Sequence, residues 1–445
     1  MGRNPEIWQW IVGYGILGSL LVLTGWGAIR SRRHQRLVQN TPTSKTAGVF
    51  IGLVEVKGSA ESESPLVSEL AQQRCVQFSW SVQEHWRRTV TESYTDSDGK
   101  RRTRTRTESG WTTLESGDRD IPFYLKDDTG ILRILPEKAK IEPATMFSQT
   151  VGRGDPLYYS RGHHRSVMNS THRRRFVERG IPLHHDLYVM GQSRERQDIA
   201  AAEIAHDDHA PLFLISTRTE EHVQKSMGGG FWGLLVLGLL LSAGGPWLVH
   251  RIIEPHSADN YPLLPGGITI AVFSLHVLIR WGLMVFNDLI GLKNRVSQAA
   301  ANIDVQLRRR HDLIPRLMDV VKGLKDYESR LQSQLAELRT QAAASIPGQD
   351  GPDPESCQAT LLAIAEAYPE IIASQAFLDL HHGITDTEER IALARNYFND
   401  IVTHYNTRRE TIPDQFFATL AGLKPIQLFH TGHFERAAIR VDLAD

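Results

Sequence analysis

Apolar and polar positions alternate along this chain in three different regimes. In the first, charge becomes sparse over a stretch long enough to cross a bilayer, and this happens at 7–29, 231–252 and 265–286. Trp8, Trp10 and Trp26 sit near the two ends of the first run, where interfacial aromatics are favoured. That run is long for a signal peptide and lacks a small-residue cleavage site, so it reads as an uncleaved anchor. The second run carries Gly244-Gly245-Pro246 late in its course, and the third is interrupted by His276 and Arg280. Near the end of a span Arg280 can extend to the headgroups; an interfacial helix is the alternative.

The second regime has period two and predicts a β-rich domain over 48–222. Val76, Phe78, Trp80 and Val82 alternate with Gln77, Ser79, Ser81 and Gln83, as in a strand with one face buried. "IPFYLKDDTGILRILP" predicts two strands joined at Asp127-Asp128-Thr129-Gly130, and "IPLHHDLYVMG" predicts another. In "TVTESYTDSDGKRRTRTRTESGW" the Asp96-Ser97-Asp98-Gly99 cluster predicts the tip of a long hairpin. On its returning strand Arg102, Arg104 and Arg106 face one way and Thr103, Thr105 and Thr107 the other.

The third regime has helical period and predicts an all-α antiparallel bundle over 284–430. Phe286, Leu289, Val296, Ala300, Ile303 and Leu307 form one apolar stripe, and Lys293, Asn294, Arg295, Gln298 and Arg308 lie off it. Arg308-Arg309-Arg310-His311 reads as a helix C-terminus, with Asp312 capping a new helix and Pro315 in its first turn. Leu317, Val321, Leu324, Leu331, Leu335 and Leu338 continue as a seam up to "SIPGQDGPDP", and a shorter helix holds Leu361, Leu362 and Ala365. The last long helix carries Ile384, Ile391, Ala394, Phe398, Val402 and Tyr405 and stops before Ile412-Pro413. Gly383 is a point of expected fraying within it, and the tail from Pro425 is expected to pack on one end.

Charge changes this picture only locally. The 445 residues carry 50 basic and 51 acidic side chains, which points to no polyanionic partner. Arg30, Arg32, Arg33 and Arg36 crowd the end of the first run, so the positive-inside rule places the N-terminus outside and both folded regions in the cytoplasm. Cys75 and Cys357 are far apart and form neither a disulfide framework nor a cysteine zinc site. His163-His164, His172, His184-His185 and the His206 to His209 stretch lack metal-ligand spacing and read as loop residues. Asp96 and Asp98 start a calcium-loop pattern whose later glutamate is missing. No nucleophile and base stand at a recognisable spacing. The expectation is therefore no catalytic residue, no metal and no cofactor.

The blocks "GLVEVKGSAE", "PLVSELAQQRCVQFSWSVQE", "PFYLKDDTGILRILPEKAKIE" and "RRFVERGIPLHHDLYVMGQ" resemble the GIDE domain, the membrane-flanked β-rich domain of a mitochondrial ubiquitin ligase. The resemblance implies an association with ubiquitin transfer, but the RING that carries that activity has no counterpart here. "FNDLIGLKNRVSQAAANIDVQLRRRHDLIPRLMDVVKGLKDYE", "LLAIAEAYPEIIASQAFLDL", "TDTEERIALARNYFNDIVTHYNTRRETIP" and "FATLAGLKP" resemble the LemA family. That resemblance implies a membrane-anchored helical bundle of bacteria.

Together these readings predict a multidomain α and β membrane protein acting as a non-catalytic scaffold of a bacterial inner membrane, with lipids and membrane proteins as partners. A ubiquitin-transferase-like subunit, with Cys75 as its one candidate acceptor, is the alternative. Another is a lipid-sensing module whose Arg102, Arg104 and Arg106 meet anionic headgroups. Their bland counterpart is a solvated edge strand guarded by charge. Nucleic acid is disfavoured, because no stacking aromatics interleave the arginines. Asn399, Tyr405 and Asn406 match the family's "YN" positions and are expected either to pair internally or to mark a partner surface.

Overall fold

The computed structural model describes residues 7–95, 101–161, 167–196, 198, 201–254, 264–324 and 375–429. The chain divides into two compact units, Lys45–Glu220 and the combination of Met1–Ser44 with Glu221–Asp445.

In the β-rich unit the period-two segments form two sheets. The first contains β1 (Gly52–Glu61), β5 (Phe123–Lys126), β6 (Ile131–Ile134), β11 (Ala202–Ala205) and β10 (Asp186–Glu195), hydrogen-bonded in that order. Because β1 also pairs with β10, from Ser59 opposite Asp186 to Gly52 opposite Ser193, these five strands close into a ring. Closure leaves no edge on the ring's interior face. Two further strands, β12 (Leu214–Ser216) and β7 (Lys140–Glu142), extend from the first half of β10. The ring buries Val54, Val56, Phe123, Leu125, Ile134, Val189, Ile204 and Ile215, mostly from alternating positions.

The second sheet orders β4 (Arg101–Asp120), β3 (Arg74–Thr95), β9 (Ser170–Pro182) and β8 (Ala144–Gly152), with the short β2 (Leu66–Val67) against the start of β3. Phe78, Trp80 and Val82 of β3 pack with Phe176 and Val151, as their alternation predicts. Val76 turns into the ring core instead, so β3 contributes to both cores. Between β5 and β6, Asp127 holds the predicted turn: its Oδ1 accepts the N–H groups of Thr129 at 2.8 Å and Gly130 at 3.0 Å.

In the other unit, α1 (Ile7–Gln39), α2 (Glu220–Ile253) and α3 (Leu264–Leu324) are each long and apolar enough to cross a membrane. Ile7, Ile11, Leu23, Trp232, Leu240, Val272 and Leu278 lie exposed on them, as lipid-facing residues do. Small residues bring the helices together. A methyl group on Gly245 would collide with Leu17 of α1, and one on Gly238 would collide with the Phe273 ring of α3.

After its apolar part α3 continues without a break, against the expected helical corner. Arg308 to His311 are mid-helix, and Pro315 lies inside the helix rather than in the first turn of a new one. An internal proline costs about 3 kcal/mol. The partners of the arginines explain why the helix persists: Arg310 is buried against Glu388, 3.5 Å away, and Arg309 lies 3.5 Å from Asp386. These charges answer a neighbouring helix and do not cap their own. That neighbour, α4 (Gln375–Glu410), runs antiparallel to α3 and passes through Gly383 without fraying. It buries Ile384, Ile391, Phe398, Val402 and Tyr405 against Leu289, Leu292, Val296, Ala299 and Ile303 of α3. The stripe on α3 is thus shifted from the predicted one, since Phe286, Ala300 and Leu307 are only half-buried. Arg295, expected off the stripe, is half-buried and donates to Thr41 Oγ1 at 2.6 Å. A short α5 (Asp414–Leu420) follows, packing Ala418 with Met284, Val285 and Leu289. The seam from Leu331 to Leu338 and the expected helix at Leu361 lie outside the described residues.

Candidate functional site

Three constellations stand out among the described residues. At the end of α1, Arg36 is 5% exposed and its guanidinium donates to both carboxylate oxygens of Asp414 at 2.6 Å. It also donates to Asp288 of α3 at 3.3 Å. Next to this pair, Arg408 of α4 donates to Asn40 Oδ1 at 2.9 Å and to Gln39 Oε1 at 3.2 Å. Arg36, taken from sequence as a topology signal, is therefore also the joint between the first apolar helix and the helical region. Sequence reasoning missed this because the partners lie 252 and 378 residues away.

The second constellation is on α4, where Asn399, Tyr405 and Asn406 come together on one side of the helix. Each asparagine amide engages both main-chain groups of a single residue in the segment after α5. Asn406 Nδ2 donates to the Ile426 carbonyl at 2.8 Å, and the Ile426 N–H returns to Asn406 Oδ1 at 3.2 Å. Asn399 does the same with Phe429, at 3.2 Å and 2.8 Å. Tyr405 is buried and donates its hydroxyl to the Lys424 carbonyl at 2.9 Å. Phe429 is itself buried, its ring 5.1 Å from that of Phe398 at a steep angle and 5.8 Å from the Arg395 guanidinium. The described part of the tail, up to Phe429, lies along α4 and is anchored by internal pairing; the rest falls outside the described residues.

The third is the ribbon made by the far halves of β3 and β4. Beyond Trp86, β9 no longer pairs with β3, although the Arg87 N–H still donates to the Asn169 carbonyl at 2.9 Å; from Arg88 on, among the described residues, the two strands pair with each other as far as Thr95 and Arg101. Nine residues of strand reach about 30 Å. Arg104 and Arg106 are exposed there, with Glu92 and Val90 directly across. Arg102 stands in register with Tyr94, so an aromatic absent from the arginine strand comes from its neighbour. The hairpin tip, Asp96 to Lys100, is outside the described residues. Over the two-stranded part, 87–95 and 101–109, six arginines face two glutamates in the sequence. Of these, Arg88 and Glu108 pair at 2.7 Å.

Cys75 is fully buried at the start of β3, and burial followed by the nearby Glu178 carboxylate pushes its thiol up to about 11. Glu178 is also buried and accepts the N–H groups of Glu69 at 2.8 Å and Ala71 at 2.7 Å. His184 pairs with Glu61, and His206 with Asp208 at 2.9 Å. Among the described residues no three His, Cys, Asp or Glu side chains gather as metal ligands would.

Comparison with known proteins gives two partial matches. The model of the LemA family fits residues 299–443, and that of GIDE, described as an E3 ubiquitin ligase, fits 91–245. The GIDE-matched segment contains no cysteine. The chain is similar to Protein LemA of Metamycoplasma hominis, 24% identical over 188 residues that cover 40% of this chain and 85% of the relative. It is also similar to the magnetosome protein MamQ of Magnetospirillum gryphiswaldense, 22% identical over 195 residues covering 37% and 71%. The chain therefore joins a segment matched by the GIDE model to a C-terminal region matched by the model of the LemA family.

Proposed function

We propose that this protein is a membrane-anchored, non-catalytic scaffold of a bacterial inner membrane, carrying its β-rich unit and a LemA-type helical bundle on the cytoplasmic side. The observation that carries the reading is the contact of Arg36 with Asp288 and Asp414. Arg36 closes the first apolar helix and Asp288 follows the apolar part of α3, so the two ends leave the membrane side by side. The β-rich unit lies in sequence between α1 and α2, which supports the same side for it. Positive charge at Arg30, Arg32 and Arg33 favours the cytoplasm for it. A burial-silenced Cys75 and a cysteine-free GIDE-matched segment weigh against ubiquitin transfer. The test is a proximity-labelling peroxidase fused after Asp445 and expressed at native level. A small reproducible set of neighbours with cytoplasmic faces is expected. Labelling of periplasmic proteins would invert the topology, and labelling of no consistent set would remove the scaffold.

The ribbon favours a second role, contact with anionic lipid headgroups through Arg102, Arg104 and Arg106. Its support is the exposure of Arg104 and Arg106 on a ribbon free of other strands. Salt-sensitive binding of added anionic vesicles by the full chain in nanodiscs, lost when the three arginines become glutamine, is the expected result. Binding that ignores either salt or the substitutions would remove this role.

A further inference from the structure

We infer that the face of α4 bearing Asn399, Tyr405 and Asn406 is a peptide-recognition groove, held shut by the chain's own tail. Its ligand class is an extended segment of a partner protein with an aliphatic residue three positions before a phenylalanine. This gives the scaffold reading a partner class, and it rests on that reading only in supposing that a partner exists.

The geometry is that of a reader of main chain. Each asparagine amide donates to the carbonyl and accepts from the N–H of one residue, so it fixes the backbone and ignores the side chain there. Asn399 and Asn406 are seven residues apart, about 10.5 Å along a helix at 1.5 Å per residue. The residues they hold, Ile426 and Phe429, are three apart, and three residues of extended chain span about 10 Å. Helix and peptide therefore stay in step only when the peptide is extended, and here it runs opposite to α4. A third polar contact, from Tyr405 to the Lys424 carbonyl, continues the same row.

Side-chain selectivity enters at one place. Phe429 is 7% exposed, edge-on to Phe398 and beneath Arg395, whereas Gln427 and Leu428 beside it are exposed. Ile426 is half-buried. The groove thus requires an aromatic ring at one position, favours an aliphatic one three earlier, and tolerates whatever lies between. The tail meets those requirements as an intramolecular ligand on a short connection from α5. A tethered ligand of this kind outcompetes a free one by its high effective concentration. A partner gains access when it is itself tethered nearby, as in a shared membrane plane, or when the tail is displaced.

The experiment uses the purified full-length chain in detergent micelles, a chain ending at Leu423, and a full-length Phe429→Ala chain. The probe is a fluorescent peptide of sequence LKPIQLFH, read by anisotropy. The intact chain is expected not to bind it, and the shortened chain to bind it saturably. Asn399→Ala or Asn406→Ala in the shortened chain is expected to weaken binding by about tenfold each, one main-chain pair of hydrogen bonds being lost. A peptide with alanine in place of its phenylalanine is expected to bind no better than background. If the shortened chain does not fold, Phe429→Ala loosens the tail in place and is expected to admit the probe. A folded shortened chain that ignores the probe, or binding indifferent to both asparagines, would overturn the proposal. A drop in the oligomeric mass of the intact chain on removal of the tail would overturn it too, by giving the groove to a second copy. The neighbours found by proximity labelling are a separate result, so this groove can fail while the scaffold reading stands.

Discussion

Arg36 and Asp414, 378 residues apart in sequence, form a pair in which the arginine Nη2 reaches both carboxylate oxygens at 2.6 Å, and neither side chain is more than 6% exposed. Two charges removed from water interact strongly, but each has also lost its hydration. The pair is therefore costly to break from one side. Arg36→Ala or Asp414→Ala is expected to destabilise the helical region by up to about 3–5 kcal/mol, because each leaves a buried charge with only its more distant partner, Arg408 for Asp414 and Asp288 for Arg36. Arg36→Met with Asp414→Leu, which removes both charges, is expected to recover much of that loss. Thermal unfolding in detergent of the single and double variants measures the difference. Equal losses in all three would show that the pair contributes only packing.

The turn at Asp127 makes stability in the β-rich unit depend on acid. Burial raises the pKa of this carboxyl, but hydrogen bonds from Thr46 and Thr129 outweigh it and hold the group below its ordinary value. A depressed folded pKa contributes stability that is fully present above the unfolded value of about 3.9 and is lost as pH falls through the folded one. Asp127→Asn is expected to destabilise by about 1–2 kcal/mol at neutral pH and to flatten the loss of stability below about pH 4. Denaturant melts at pH 7 and pH 3 check this. An unchanged acid limb would mean that another carboxylate controls it.

Gly383 sits inside α4 with open space on its side-chain face. A methyl group there would lie 3.8 Å from Leu313 Cδ1, an ordinary contact. Gly383→Ala is expected to stabilise by about 0.5–1 kcal/mol through reduced freedom of the unfolded chain. A loss of stability on calorimetry would imply that the helix must bend at this residue.

The thiol of Cys75 tests the transferase reading. In a Cys357→Ser background at pH 8, maleimide is expected to label Cys75 at least about a hundredfold more slowly than a free thiol, and rapidly in urea. Fast labelling of the native chain would reopen a role as acceptor.

What the sequence discloses here depends on the range of the interactions concerned. Alternation in β3 and the Asp127 turn are local, and both appear as read. So is the end of α4 before Ile412, since its stop signals lie within a few residues. The arginine run was misread as a helix end because what holds it, Asp386 and Glu388, lies more than seventy positions on. Closure of the five-stranded ring depends on β1 meeting β10, a pairing that no local pattern encodes. At the interaction surfaces, the asparagines were visible as polar residues near a seam. That two amides at a spacing of seven measure out three residues of extended chain is a property of the fold alone. Tyr94 was legible as a residue but not as the neighbour of Arg102, which the strand register supplies.

The unbroken course of α3 gives the molecule a mechanical property. Its 61 residues form a single shaft of about 90 Å that starts in the apolar stretch and ends beside α4. Residues on such a shaft share one angular phase, so the orientation of the apolar stretch sets that of Asp288 and Arg310. One residue added between Leu283 and Asp288 would turn everything downstream by about 100° and swing Asp288 away from Arg36, whereas seven would restore its angle to within about 20° but carry it about 10.5 Å along the axis. The apolar stretch of α3 is thus geared to the part of the same helix that packs on α4.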